Sequence, residues 1–191
     1  NKTDDKGNPI TPEHPWYGGA GYAGAGARRP DMSNTHFTLE ALRNSGVPAD
    51  DPAIQAMLKF VSRCQASSET NDLAWAKGQS GGGFIYSTRY NNKLKMYGES
   101  MAPNSTDRQG NEVLTTYGSM TYAGLKSFLY AGLTPDDPRV KAALNWIEQN
   151  WTLESNPGMG SRQGLYYYYH TYAKALSALG RDTIQDAKGV S

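Results

Sequence analysis

Residues 39–65 and 125–151 of this chain align without a gap at a constant offset of 86, and this duplication constrains the fold more than any other feature. The identities are Leu39/Leu125, Gly46/Gly132, Asp50/Asp136, Asp51/Asp137, Pro52/Pro138, Ala56/Ala142 and Leu58/Leu144. Ile54/Val140, Phe60/Trp146 and Val61/Ile147 keep their character. Such a repeat encodes a supersecondary unit that cannot bury its apolar surface alone and must stack on its neighbours.

The unit reads as a helical hairpin. A first helix stops at Gly46 or Gly132, where a residue without Cβ can take positive φ. A short turn then reaches Asp51 or Asp137 as N-cap, with Pro52 or Pro138 at the first helical position. The second helix buries Ile54, Leu58 and Val61, matched by Val140, Leu144 and Ile147, at i, i+4, i+7. Upstream, Ser33-Asn34-Thr35 supply capping residue types ahead of Phe37, Leu39 and Leu42. A third first-helix is predicted from Leu165 to Gly180, with Leu165, Tyr169, Tyr172, Leu176 and Leu179 along one face.

Three regions follow. Residues 1–30, with Pro9, Pro12, Pro15 and Gly18-Gly19-Ala20-Gly21, read as an extended arm crossing a surface. Residues 31–180 form the helical-repeat domain. Residues 181–191 read as a tail leading toward a missing partner helix. Long Gly-rich linkers separate the units: 66–112, with Gly81-Gly82-Gly83-Phe84-Ile85-Tyr86, and 152–164, with Asn156-Pro157-Gly158. Linkers of that length usually shape a site. A short hairpin around Phe84–Tyr90 is the one strand element predicted. The fold class expected is therefore all-α, built from helical hairpin repeats with long Gly-rich loops.

The repeat with its aromatic-bearing Gly-rich loops resembles the α/α toroid of squalene cyclases and protein prenyltransferases. It is especially similar to the bacterial prenyltransferase/squalene oxidase repeat proteins. The resemblance covers about residues 31–180 and rests on Tyr117-Gly-Ser-Met-Thr-Tyr-Ala-Gly-Leu125 and Gln163-Gly-Leu-Tyr-Tyr-Tyr-Tyr-His-Thr-Tyr172. Gln79-x-x-x-Gly83-Phe84 resembles the start of the cyclases' QW motif, with Ile85 where that motif has Trp. The resemblance implies an incomplete toroid with the first helix of each pair inside, holding an apolar isoprenoid. A non-catalytic repeat scaffold or binding module with a protein partner is the alternative.

Asp31-Met32-Ser33-Asn34-Thr35 aligns with the DxDDT motif, which supplies the cyclases' general acid. Ser33 and Asn34 replace two of its carboxylates, and neither can protonate an alkene. The competing reading of Asp31 is a helix cap. His170-Thr171 resembles the prenyltransferases' zinc histidine, but sits one residue out of register and lacks the Asp and Cys that go with it, so no metal and no cofactor is expected. His36, Tyr122 and His170 all lie ten residues before a stopping glycine, which places them at one level of the inner helices. A histidine there could act as base, or could simply bond between repeats. The candidate catalytic residues are thus Asp31 and His170. The candidate ligand-binding residues are His36, Tyr117, Tyr122, Tyr166 and Tyr167, whose rings would offer π-faces to an isoprenoid or cationic ligand. Asp50-Asp51 and Asp136-Asp137 are explained by capping.

Charge narrows the partners further. Nineteen Lys and Arg against eighteen Asp and Glu give a net charge of +1 without a basic run, which argues against nucleic acid. No apolar stretch is long enough to span a membrane. The single cysteine, Cys64, cannot form an intrachain disulfide. A start at Asn1 and a polar close suggest processing or truncation, so an exported protein that has lost its signal peptide is one expectation.

Overall fold

The computed structural model describes residues 3–22, 29–160, 162–181, 183 and 189. Most of the predicted tail at 181–191 lies outside them. The duplication is visible directly. Helix α1 (Met32–Asn44) and helix α3 (Gly118–Tyr130) begin and end 86 residues apart, and α2 (Pro52–Arg63) and α4 (Pro138–Asn150) begin at the same offset. Helix α5 (Leu165–Leu179) follows. Asp51 and Asp137 cap α2 and α4 by accepting from the N–H two residues on, with Pro behind each cap. Gly46 and Gly132 leave the first helices at φ 85° and 87°.

The expectation of an all-α fold is overturned. The described residues form a mixed α/β structure, with two small antiparallel sheets beside five α-helices, and not an all-α toroid. Strands β1 (Ser87–Asn91) and β2 (Met96–Glu99) form one hairpin, and β3 (Ser105–Thr106) and β4 (Glu112–Val113) the other. Both lie in the 66–112 region or just past it, which reads as loop because its strands are only two to five residues long. Their turns carry the information. Asp107 accepts from the backbone of Gln109 and Asn111, and Gly110 takes φ 85°. The Phe84–Tyr90 prediction caught the first strand, but not its partner at Met96–Glu99.

Helix α3 is the centre of the molecule and packs against α1, α4 and α5. Its buried set runs nearly all round, from Gly118 to Phe128. The Phe84 ring fills the space where Gly124 has no side chain, so a Cβ there would lie 2.4 Å from the ring. The buried face of α5 is Tyr168, Thr171, Ala175 and Leu176, about one residue out of register with the stripe read from sequence. The Tyr122 ring packs edge-on against both Tyr168 and Tyr172, at 5.6 and 5.2 Å.

Candidate functional site

Two Gly-rich segments are structural twins. Gly18-Gly19 runs across α2 and Gly82-Gly83 across α4, each so close that a Cβ on the first glycine would meet the carbonyl of Ala56 or Ala142 at 1.8 and 2.1 Å. From there both chains reach the start of a first helix. Ala20 accepts from Asp31 N–H at 3.0 Å and donates to Thr35 Oγ1 at 3.0 Å. Phe84 accepts from Tyr117 N–H at 3.1 Å and donates to Thr121 Oγ1 at 3.2 Å. Two residues further on, each segment delivers a tyrosine, Tyr22 or Tyr86, to the same end of the helix group. Tyr86 is fixed there because its carbonyl accepts from Met32 N–H at 2.8 Å.

Asp31, Tyr117 and Tyr167 converge at this end, with His36 one helical turn inside. Asp31 caps α1: one carboxyl oxygen accepts from Asn34 N–H and the other from Asn34 Nδ2, both at 2.8 Å. Its counterpart in the repeat, Tyr117, has no capping side chain. Asn156 from the 152–164 linker does that work, accepting from Ser119 N–H at 2.9 Å. Tyr117 is thereby left to contribute its ring, which is 3% exposed. Tyr167 reaches back from α5 and donates to Ser33 Oγ at 3.0 Å.

Burial raises the pKa of Tyr86 and Tyr117, with help from Asp31's negative charge. Burial likewise pushes Tyr167 up to about 12, against the hydrogen bond to Ser33. These phenols keep their protons at neutral pH. They are poor proton sources. Cys64 is fully buried, and burial with the nearby Asp31 charge pushes its thiol well up, so it is unreactive.

His36 is buried, with Nε2 2.7 Å from the Tyr167 hydroxyl. Because that hydroxyl donates to Ser33, the consistent tautomer has Nε2–H donating to Tyr167. Desolvation first, then the charge of Lys126, lowers the His36 pKa from 6.5 to about 3. The folded state thus refuses a proton that the unfolded chain takes up below pH 6.5, so stability falls as pH drops from 6.5 toward 3. His36→Gln keeps a donor for Tyr167 without the titration. Urea midpoints for that variant should change less than wild type between pH 7 and 5; an equal loss in both would remove His36 as the cause.

The remaining predicted residues lie elsewhere. Tyr122 is buried between Tyr168 and Tyr172. Tyr166 is 88% exposed on the outer face of α5. His170 is exposed, its ring 5.8 Å from Phe37. His36 and His170 share a neighbour, the Phe37 ring, at 4.0 and 5.8 Å, whereas Tyr122 packs among the α5 tyrosines.

Sequence reasoning missed Tyr22 and Tyr86. The available signal was the shared Gly-Gly-x-x-Tyr spacing of the twin segments. It also missed a buried charge cluster at the other end of the helices. Lys126 is fully buried and donates to Glu40 at 2.7 Å, while Lys174 reaches the other Glu40 oxygen at 3.1 Å. Glu40 and Lys126 are equivalent positions of the repeat, 86 apart. Burial opposes Glu40's charge, but the two lysines outweigh it and hold its pKa low. Burial lowers the Lys126 pKa, and Glu40 offsets only part of that. Among the described residues, no three His, Cys, Asp or Glu side chains converge as a metal site requires. No helix of the described residues is long and apolar enough to cross a membrane.

Set against models of known families, curated proteins and solved structures, the chain matches none of them.

Proposed function

We propose that the chain is a non-catalytic binding module whose ligand, an apolar molecule of isoprenoid type, meets the tyrosine-lined end of α1, α3 and α5. The observation that supports this most directly is the engagement of Asp31. Both of its carboxyl oxygens accept from N–H groups of Asn34, which is the work of a cap, while Tyr22, Tyr86, Tyr117 and Tyr167 cluster around it. Acid-initiated cyclisation needs a carboxylic acid free to give its proton to an alkene. A binding site needs only the apolar and π surface that the tyrosines supply.

The two readings separate on Asp31→Asn. Asparagine caps as well as aspartate, whereas Asp31→Ala should cost about 1 kcal/mol. With Asp31→Asn, retention of added farnesol in native mass spectra should stay within about twofold of wild type, a difference under 0.5 kcal/mol. Tyr22→Ala, at an exposed ring of the cluster, should lose most of it. Incubation with squalene should yield no cyclic product. A cyclic product from wild type that disappears in Asp31→Asn would overturn the binding reading in favour of catalysis.

A further inference from the structure

A second site, remote from the tyrosine-lined end in its chemistry, lies where the β1–β2 hairpin faces the N-terminal loop. A cleft of about 250 Å³ opens there, with Tyr90 and Tyr97 on its hairpin side and the 4–16 segment opposite. We propose that this cleft binds a neutral saccharide, one ring of a longer glycan at a time.

The charge pattern selects a neutral ligand. Arg29 Nε pairs with Asp5 at 2.7 Å, Arg89 with Glu99 at 3.2 Å, and His14 lies 3.4 Å from Asp4. Both arginines already have a carboxylate, so an anion would have to break an existing pair to engage either, and the exposed Lys6 is the lining cation with no carboxylate partner among the described residues. A sugar hydroxyl is donor and acceptor at once. Neighbouring hydroxyls can therefore give to a spare carboxylate lone pair and accept from a spare guanidinium N–H without disturbing either pair.

The aromatic pattern selects a ligand with an apolar face. Tyr90 and Tyr97 are paired across the strands, 5.2 Å apart at 75°, and are 48% and 37% exposed. An edge-to-face pair leaves the electron-rich face of one ring open, which attracts the polarised C–H groups of a pyranose. The cleft is smaller than the roughly 300 Å³ at which pockets for drug-sized ligands begin, so it fits one sugar ring. Its wall is preformed, because Asp4 holds the loop by accepting from Lys6 N–H, Asn8 N–H and Asn8 Nδ2.

The test is titration of the ¹⁵N-labelled chain with maltohexaose, cellohexaose and chitohexaose, with hexagalacturonate as an anionic counterpart and a neutral Ala-Ser-Gly hexapeptide as the peptide counterpart. Trp16, on the cleft wall, provides the reporting indole resonance. At least one neutral hexasaccharide should give a saturable shift. Tyr97→Ala and Tyr90→Ala, both at exposed positions, should each weaken it tenfold or more with the helical circular dichroism unchanged. No saturable shift from any neutral sugar, a shift indifferent to both tyrosines, or stronger binding of the galacturonate or the peptide would each overturn the proposal. The proposal is independent of the isoprenoid reading, since neither tyrosine belongs to that cluster.

Discussion

Glu40→Ala should lower the unfolding free energy by about 3–5 kcal/mol, the cost of removing one partner from a buried ion pair. Lys126 would then sit fully buried among Phe37, at 5.3 Å, and Tyr130, at 5.9 Å, with its counter-charge gone. Cation–π attraction of about 1–2 kcal/mol per ring cannot replace a carboxylate at 2.7 Å. The loss has a ceiling, because Lys126 can shed its proton; neutralising a lysine of ordinary pKa at pH 7 costs about 5 kcal/mol. That escape route sets the sign of the pH dependence. In the variant the folded-state lysine pKa lies below that of the unfolded chain, so the folded state binds fewer protons and stability rises with pH toward the unfolded lysine value. Urea melts at pH 7 and pH 9.5 check both statements. A loss below about 1 kcal/mol at pH 7 would mean that Lys126 escapes to water. Glu40→Ala combined with Lys126→Met should recover much of the loss, since an apolar replacement of a buried pair is often neutral.

Gly82→Ala and Gly18→Ala should each cost about 2–4 kcal/mol, combining overpacking of about 1–3 with a backbone penalty near 1. The added methyl would lie 2.1 Å from the Ala142 oxygen or 1.8 Å from the Ala56 oxygen, and a helix carbonyl cannot step aside as a side chain can. Both glycines also hold positive φ, 76° and 80°. Gly46→Ala is the control. Its φ is 85°, but nothing lies within 4 Å of the new Cβ, so only the backbone penalty of about 1 kcal/mol should appear. Thermal or urea unfolding of the three variants separates the effects. Equal losses at Gly46 and Gly82 would show that the close approach to α4 carries no energetic weight.

The parts of this structure that were legible in the sequence are those coded locally. Asp51-Pro52 and Asp137-Pro138 mark helix starts because a cap and a proline act within one turn, and Gly46 and Gly132 mark stops for the same reason. Ile54, Leu58 and Val61 announce a buried stripe by spacing alone, and all three are buried. The sheets were hidden because β3 and β4 are two residues each, too short for alternation to register. In the site, Asp31 was legible both as cap and as acid, and only its contacts with Asn34 showed what occupies it. Glu40 and Lys126 were the harder case. A charged residue on a helix reads as solvated until its partner is known, and the partner here comes from another helix 86 residues away.

The twin segments repeat at an offset of 64, whereas the helices they serve repeat at 86. The difference of 22 residues falls between Tyr86 and Tyr117, where the second copy has a longer path than the one from Tyr22 to Asp31. Both hairpins occupy that longer path. The repeated unit thus accommodates two junction lengths, because each copy is pinned to its helix start by a backbone bond, at Ala20–Asp31 and Phe84–Tyr117. Nine residues in the first copy and thirty-one in the second therefore end on the same pair of bonds to a helix start.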